Sequence, residues 1–405
     1  MSIFDTLPLR DGGICGNGRR QAGPSVPQGL SKPPTPSRPE RQADGRRRSL
    51  LAPLTELLLI IIWFYLCDRW HAFPVDSRQH DLRAFCLVLT TAAVVPNAFD
   101  TSRTINSTPP KKETLQMLDR HQTDEWKGVM QLWILLYHYF NCTETYKVVR
   151  LFVASFSWMT GYGNCSYYIR SNDYSVRRLL KAIVRLNAFA ALCCVALGNQ
   201  YMLYYICPLT TLHTILVHII MAVWPSSNSK FPSALLKLLT ATAVVAAIWE
   251  DEAVFHRAWS PFRWLLRYDG PSFRSETPMH EWYFRSSLEK YVWLHGMLFA
   301  LVKGPYERFV LRLSSSSSPP SSNPRRETLR LFQSVVVTLC LVAGIAWYRH
   351  VGHLDKYAYN RVHPYWSFVP VTIFVLLRNL DPGMWGRPLG GFYCMVGATS
   401  LELCT

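Results

Sequence analysis

The feature that most constrains this chain is a succession of apolar blocks, each about as long as a helix needs to cross a bilayer. They occupy residues 50–67, 83–98, 128–145, 147–161, 182–199, 201–224, 235–250, 288–303, 329–348 and 366–379, with an incomplete block from 389. Crossing the hydrocarbon core takes roughly 17–25 predominantly apolar residues. Inside that core every backbone group must be satisfied within its own segment, which leaves helices for sequences of this kind. The expected fold is therefore all-α, a polytopic transmembrane helix bundle of about 10–11 spans.

Composition agrees where it bears on this. Only 17% of the residues are charged, against 49% hydrophobic and 14 Trp. The formal net charge of +16 raises the question of nucleic acid. Arg and Lys collect in short loops between apolar blocks, however, as the positive-inside rule requires, and no basic stripe lies on a soluble segment. No nucleic-acid partner is expected, and membrane lipid is. The eleven cysteines lack C-x-x-C spacing, and several, such as Cys193, Cys194 and Cys340, sit within apolar blocks as small hydrophobes.

Three regions follow. Residues 1–49 are rich in Pro, Gly, Ser and Arg and read as a disordered basic N-terminus. Residues 50–114 hold a signal anchor and a second span with a linker, and 115–405 hold the main membrane domain. Arg46-Arg47-Arg48 directly before the first block places the N-terminus in the cytoplasm. Alternation then puts Lys111, Lys112, Arg120 and Lys127 on the same side, with Arg170, Arg177, Arg178 and Lys181. The 251–287 segment breaks the pattern with five Arg, and its many aromatics mark a folded or re-entrant loop. Of three N-x-Ser/Thr sequons, at Asn106, Asn141 and Asn164, this topology turns only Asn141 to the lumen.

The segment from Asp124 to Tyr139 carries the most chemistry. It opens with Asp124-Glu125-Trp126-Lys127, runs into an apolar stretch, and sets His138 between two tyrosines, expected near mid-depth. An ionisable group inside a span is costly and faces the bundle interior by default. Lys127 and His138 are eleven positions apart, which places both on one helix face about 16 Å apart along the axis. A long anionic acyl donor fits that spacing, the cation taking phosphate and the imidazole acting as general base. The same spacing fits a histidine satisfied by a neighbouring helix and a lysine anchoring the membrane edge. Gly161 and Gly163 mark either a helix end opened near a ligand or a plain C-terminal cap. Further histidines are His280, His295, His353 and His363, without zinc-hydrolase spacing, so no metal is expected.

The run Leu118–Gln131 followed by Tyr137-His138-Tyr139 resembles a family of multi-spanning acyltransferases. The family includes fungal capsule polysaccharide O-acetylation proteins, the animal sialate O-acetyltransferase and plant reduced-wall-acetylation proteins. The likeness continues in order through Met159–Gly163, Val184–Asn187, Tyr204–Leu209, His280–Ser286, His363-Pro364-Tyr365 and Leu377-Arg378-Asn379. It implies transfer of acetyl from acetyl-coenzyme A to hydroxyls of a cell-wall or capsule polysaccharide, or another glycan, in Golgi or other secretory-pathway membranes. His138 would be the base, and Lys127 with Arg120 would bind the donor. Glu125, Trp126, His280, Glu281, Trp282, His295 and His363 would line the substrate site. Lys127 and His138 also resemble the basic residue and histidine, ten residues between, of bacterial membrane acyltransferases.

Two departures stand against the family pattern. Only Asp68–Leu82 and a second apolar block lie where animal and fungal relatives carry a lumenal hydrolase-like domain. Gly397–Glu402 resembles the start of a further helix, so the chain reads as truncated at its C-terminus. Two alternatives to the enzyme follow: a transporter of acetyl groups or acetyl-coenzyme A serving a separate lumenal transferase, and an inactive truncated member.

Overall fold

A computed structural model describes residues 54–74, 78–98, 116–269, 278–314, 324–382, 385 and 391–398. The basic N-terminal segment and Asn106 lie outside the described residues, as do most of the final residues after Gly397. The chain divides into two compact units, Met1–Pro74 and Val75–Thr405. In the first, residues 54–68 form helix α1, and Trp63 meets Phe73 with ring centroids 5.4 Å apart.

The second unit is a helical bundle. Its helices are α2 (Leu82–Ala98), α3 (Arg120–Tyr139), α4 (Tyr146–Ser171), α5 (Val176–Leu197), α6 (Ile206–Ala222) and α7 (Phe231–Trp249). There follow α8 (Glu252–Trp259), α9 (His280–Leu288), α10 (Val292–Ser314), α11 (Pro324–Trp347), α12 (Lys356–Trp366), α13 (Phe368–Arg378) and α14 (Gly391–Ala398). Among the described residues three stretches, Val176–Leu197, Phe231–Trp249 and Glu327–Gly352, are long and apolar enough to cross a membrane. Their outward residues, among them Leu236, Leu239, Val244, Leu339 and Leu341, are exposed, as lipid-facing residues must be.

Local chemistry sets the helix ends. Asp119 caps α3 by accepting from the Gln122 amide at 3.0 Å, while the Gln122 side chain accepts from the Leu118 amide at 3.0 Å. This reciprocal pair works as a capping box and satisfies donors that a buried helix start would otherwise strand. Asp251 and Asp355 cap α8 and α12 by accepting from two first-turn amides each. Asn172 and Gly198 end α4 and α5 in the left-handed conformation.

Several expected limits move. α3 starts eight residues before the expected 128, because its first turn is amphipathic and capped rather than apolar. His138 therefore lies in the last turn of α3 with an exposed side chain, not near mid-depth. α4 continues ten residues past 161, so the Gly161–Gly163 segment is neither a cap nor an opened end. Gly161 instead faces α10, where a Cβ would overlap the Trp293 carbonyl, and Gly296 of α10 meets the Trp158 carbonyl in the same sense. Small residues let two membrane helices approach backbone to backbone, and these two run together along much of their length.

The described residues of the aromatic 251–287 segment, 251–269 and 278–287, are folded. Phe255, Leu266, Met279 and Trp282 are all buried. Trp259 packs edge-on against Trp282 at 5.4 Å, and Trp249 donates to Ser286 at 3.0 Å.

Candidate functional site

The polar residues gather at two ends of α3 and at one level between them. At the first end, Asp124 accepts from Lys127 at 3.0 Å and pairs with Arg120 at 3.5 Å. Both expected donor-binding cations therefore converge on one carboxylate. Glu125 is buried and pairs with Arg378 of α13 at 3.5 Å. Nearby, Lys303 pairs with Glu307 at 3.8 Å, and Glu307 accepts from the Met117 amide at 2.7 Å. An anion arriving here would exchange Asp124 for phosphate around Arg120 and Lys127. Charge-assisted bonds of that kind are the strong ones.

Trp126 turns inward from the same turn, its ring 4.6 Å from Phe374 and 5.9 Å from Trp158. Trp158 stacks on Tyr162 and donates its indole N–H to His295 Nδ1 at 2.9 Å. His295 is thus a hydrogen-bonded imidazole inside the bundle, and His213 of α6, buried and stacked on Trp293 at 5.4 Å, is another. His295 lies on α10, whereas His138 is in the last turn of α3.

The far end of α3 is the richer cluster. Tyr137 and His138 meet edge to face at 4.9 Å. The charge of Arg285 reaches both groups, and that of Arg150 reaches Tyr137. Arg285 is bound to Glu281 at 2.6 Å and lies 4.4 Å over the Tyr205 ring. Behind it, Arg150 and Glu289 form a wholly buried pair at 3.4 Å. His363 brings Nε2 to 3.5 Å from the same Glu289 carboxylate and Nδ1 to 3.0 Å from the Tyr359 hydroxyl. Tyr146 completes the layer by donating to Asn360 at 3.0 Å.

Around this layer Arg150 Nε, Glu281 Oε2, Trp282 Nε1 and Glu289 Oε2 are buried with no hydrogen-bond partner among the described residues, and His363 Nε2 has only its 3.5 Å approach to Glu289. Buried polar atoms are nearly always satisfied, and a cluster of unmet ones marks a place where a polar ligand or water belongs. The structure thus brings His138, Glu281, Trp282 and His363 to one end of the bundle, with His280 half-buried at the start of α9. It sets Arg120, Glu125, Trp126 and Lys127 at the other end and His295 between. Among the described residues no group of three His, Cys, Asp or Glu could hold a metal ion.

A second polar knot lies where α7 ends. Glu250 accepts from Lys290 at 2.9 Å, Tyr291 at 2.7 Å and Tyr365 at 2.8 Å. Partial burial pushes its carboxyl pKa up, but these three donors outweigh that and hold it below the usual carboxylate value. Arg150, Glu289, Asp124 and Glu250 were not singled out from the sequence. For Arg150 the signal was present, since a charge in the run Val148-Val149-Arg150-Leu151-Phe152 is costly in a membrane without a partner. Asp124 and Glu250 sit at span ends, where a charge is ordinary.

An all-helical bundle with membrane-length apolar spans and polar clusters buried inside it defines a polytopic integral membrane protein. Residues 30–405 match the family described as the 10 TM acyl transferase domain found in Cas1p, and the chain belongs to that family. It is 31% identical over 366 residues to the N-acetylneuraminate (7)9-O-acetyltransferase of Danio rerio. The alignment covers 87% of this chain and 44% of that protein, so the chain spans less than half the length of this relative. No solved structure matches it.

Proposed function

We propose that this chain is a membrane-bound O-acetyltransferase that moves acetyl from acetyl-coenzyme A to hydroxyls of a glycan in a Golgi or other secretory-pathway membrane. The observation that carries this reading is the layout of α3. A cation pair stands at one end, a histidine beside a buried polar layer at the other, and about 16 Å separates Lys127 from His138. A coenzyme A donor is long and anionic at one end and reactive at the other, which suits that length. The relative's printed activity, O-acetyl transfer to a sialic acid, supports the reaction class.

In this reading Lys127 and Arg120 take the donor's phosphates. His138 removes the proton of an acceptor hydroxyl as its oxygen bonds to the acyl carbon. The carbon–sulfur bond then breaks, and coenzyme A leaves as the thiol with that proton. The unmet donors and acceptors of Arg150, Glu281, Trp282, Glu289 and His363 suit a hydroxyl-rich acceptor. Glu125 and Trp126 are committed to Arg378 and to the aromatic core, so they act on the substrate site by positioning α3. The cell-wall or capsule polysaccharides expected from the sequence and a sialylated glycan are both acceptors of this kind.

The test is transfer of labelled acetyl from acetyl-coenzyme A by the purified protein in detergent, offered mannan, xylan and a sialylated glycan separately. Labelled product is expected with one of them. His138→Ala should lower the rate by about 100-fold or more, the scale of a lost general base. An unchanged rate in that variant overturns the assignment of His138.

A second reading, a transporter of acetyl groups or acetyl-coenzyme A, is favoured by the same two clusters lying at opposite ends of one membrane helix. Labelled acetyl-coenzyme A or acetyl entering sealed vesicles without covalent product would decide for it.

A further inference from the structure

A cavity of about 310 Å³ is lined by Thr242 and, on the segments that follow Glu289 and His363 of the buried polar layer, by Tyr291, Val292, His295, Pro364, Tyr365 and Phe368. Its walls are rings and hydrocarbon: Tyr291 and Tyr365 lie 5.7 Å apart, and His295 and Phe368 5.2 Å apart. Tyr365 and Phe368 are exposed, so the cavity reaches the bundle surface where α12 gives way to α13. That surface is apolar. Thr242 belongs to α7, a membrane-length helix with only 17% of its span buried, and α13 is also an apolar helix.

The hydrogen bonds of this cavity fix the state of its imidazole. An indole N–H can only donate, so the bond from Trp158 makes His295 Nδ1 an acceptor. A neutral imidazole then carries its proton on Nε2. The partner of Nε2 agrees independently: Thr372 Oγ1, 3.4 Å away, spends its own proton on the Phe368 carbonyl at 2.7 Å and can only accept from His295. Its long separation from Nε2 leaves the N–H able to serve a better acceptor. The other polar groups are already committed. Thr242 donates to the Leu238 carbonyl, and both tyrosine hydroxyls donate to Glu250. Lys290 and Glu250 neutralise each other at the rim, so no cation is left there for an anionic donor.

We propose that this cavity binds the acyl ester of a membrane glycerolipid. The ester carbonyl oxygen accepts from His295 Nε2–H, and the first part of the acyl chain packs on Val292, Pro364 and Phe368. A single donor in an otherwise apolar pocket, open on a lipid-facing surface and without net charge at its mouth, selects a neutral carbonyl on a hydrocarbon chain. Lipid binding here does not require the transfer reaction.

The test uses the whole protein in nanodiscs of phosphatidylcholine doped with an analogue carrying a diazirine in its acyl chain close to the ester, with crosslinked residues mapped by mass spectrometry. Label on Val292, Tyr365 or Phe368 is expected. An ether-linked analogue, which lacks the carbonyl, should label them about fivefold less, the ratio one neutral hydrogen bond supports. His295→Phe should show the same loss, and His295→Gln, which keeps a side-chain N–H, should retain most of the label. Excess coenzyme A should leave the label in place. Equal labelling by ester and ether lipids, absence of label from the cavity, or its displacement by coenzyme A would each overturn the proposal.

Discussion

Asp124 governs how the first end of α3 behaves, because it holds Arg120 and Lys127 together. In the proposed reading Lys127 holds a donor phosphate, and removing it forfeits a charge-assisted bond, worth roughly 1.5–3 kcal/mol. Lys127→Ala should therefore raise the KM for acetyl-coenzyme A by about 10- to 100-fold and leave kcat within a few-fold, read from initial rates. A change confined to kcat would remove Lys127 from donor binding. At the rim of the lipid cavity, Glu250 is held below the usual carboxylate range, so its bonds to Lys290, Tyr291 and Tyr365 are fully present at neutral pH. They are lost as pH falls through that lowered value. Glu250→Gln should lower the melting temperature at pH 7, and the difference from the unmodified protein should narrow once pH falls below the usual carboxylate range. Thermal melts in detergent across pH 3–8 would show it.

Among the elements, α4 and α10 form the axis against which the site residues are ordered. Their close crossing depends on Gly161 and Gly296, whose missing side chains leave room for the opposing carbonyls of Trp293 and Trp158. A methyl group at Gly161 must push two backbones apart, a distortion worth on the order of 1–3 kcal/mol or more. Gly161→Ala should melt markedly lower than the unmodified protein. Gly163→Ala, two residues away on the same helix with open space around it, should melt at the same temperature or slightly higher. Equal effects at the two positions would show that helix propensity, and not the crossing, sets the result. The same contrast explains why this part of the sequence was misread. Met159-Thr160-Gly161-Tyr162-Gly163 carries the residues of a helix end, and only the neighbouring helix reveals that one glycine is a contact point within a longer helix.

At the scale of the whole bundle, Arg150 and Glu289 tie α4 to the start of α10, and His363 adds α12 to the same carboxylate. Leaving one partner of a buried pair uncompensated costs about 3–5 kcal/mol, whereas replacing both by apolar residues is often neutral. Arg150→Met alone should lower thermal stability strongly, and adding Glu289→Leu should recover most of the loss. If the double variant is stable but inactive in acetyl transfer, the pair serves the site and not the fold.

The sequence by itself determined that the chain is a helical membrane bundle. Membrane-length apolar blocks and charges between them are local properties, readable wherever they occur. His138 and Lys127 stood out as polar groups in and beside an apolar run, while His280, Glu281 and His363 were marked by the resemblance of the motifs that hold them. Which of these meet was decided only by the tertiary structure. Arg150 and Glu289 are separated by 139 positions, and Glu125 and Arg378 by 253, and no local periodicity carries information across such distances. Depth was decided there too. The capped polar first turn of α3 lies outside any hydropathy signal, and counting it moves His138 to the end of its helix. The bond from Trp158 likewise appears only in the fold, joining His295 of α10 to α4 across 137 positions.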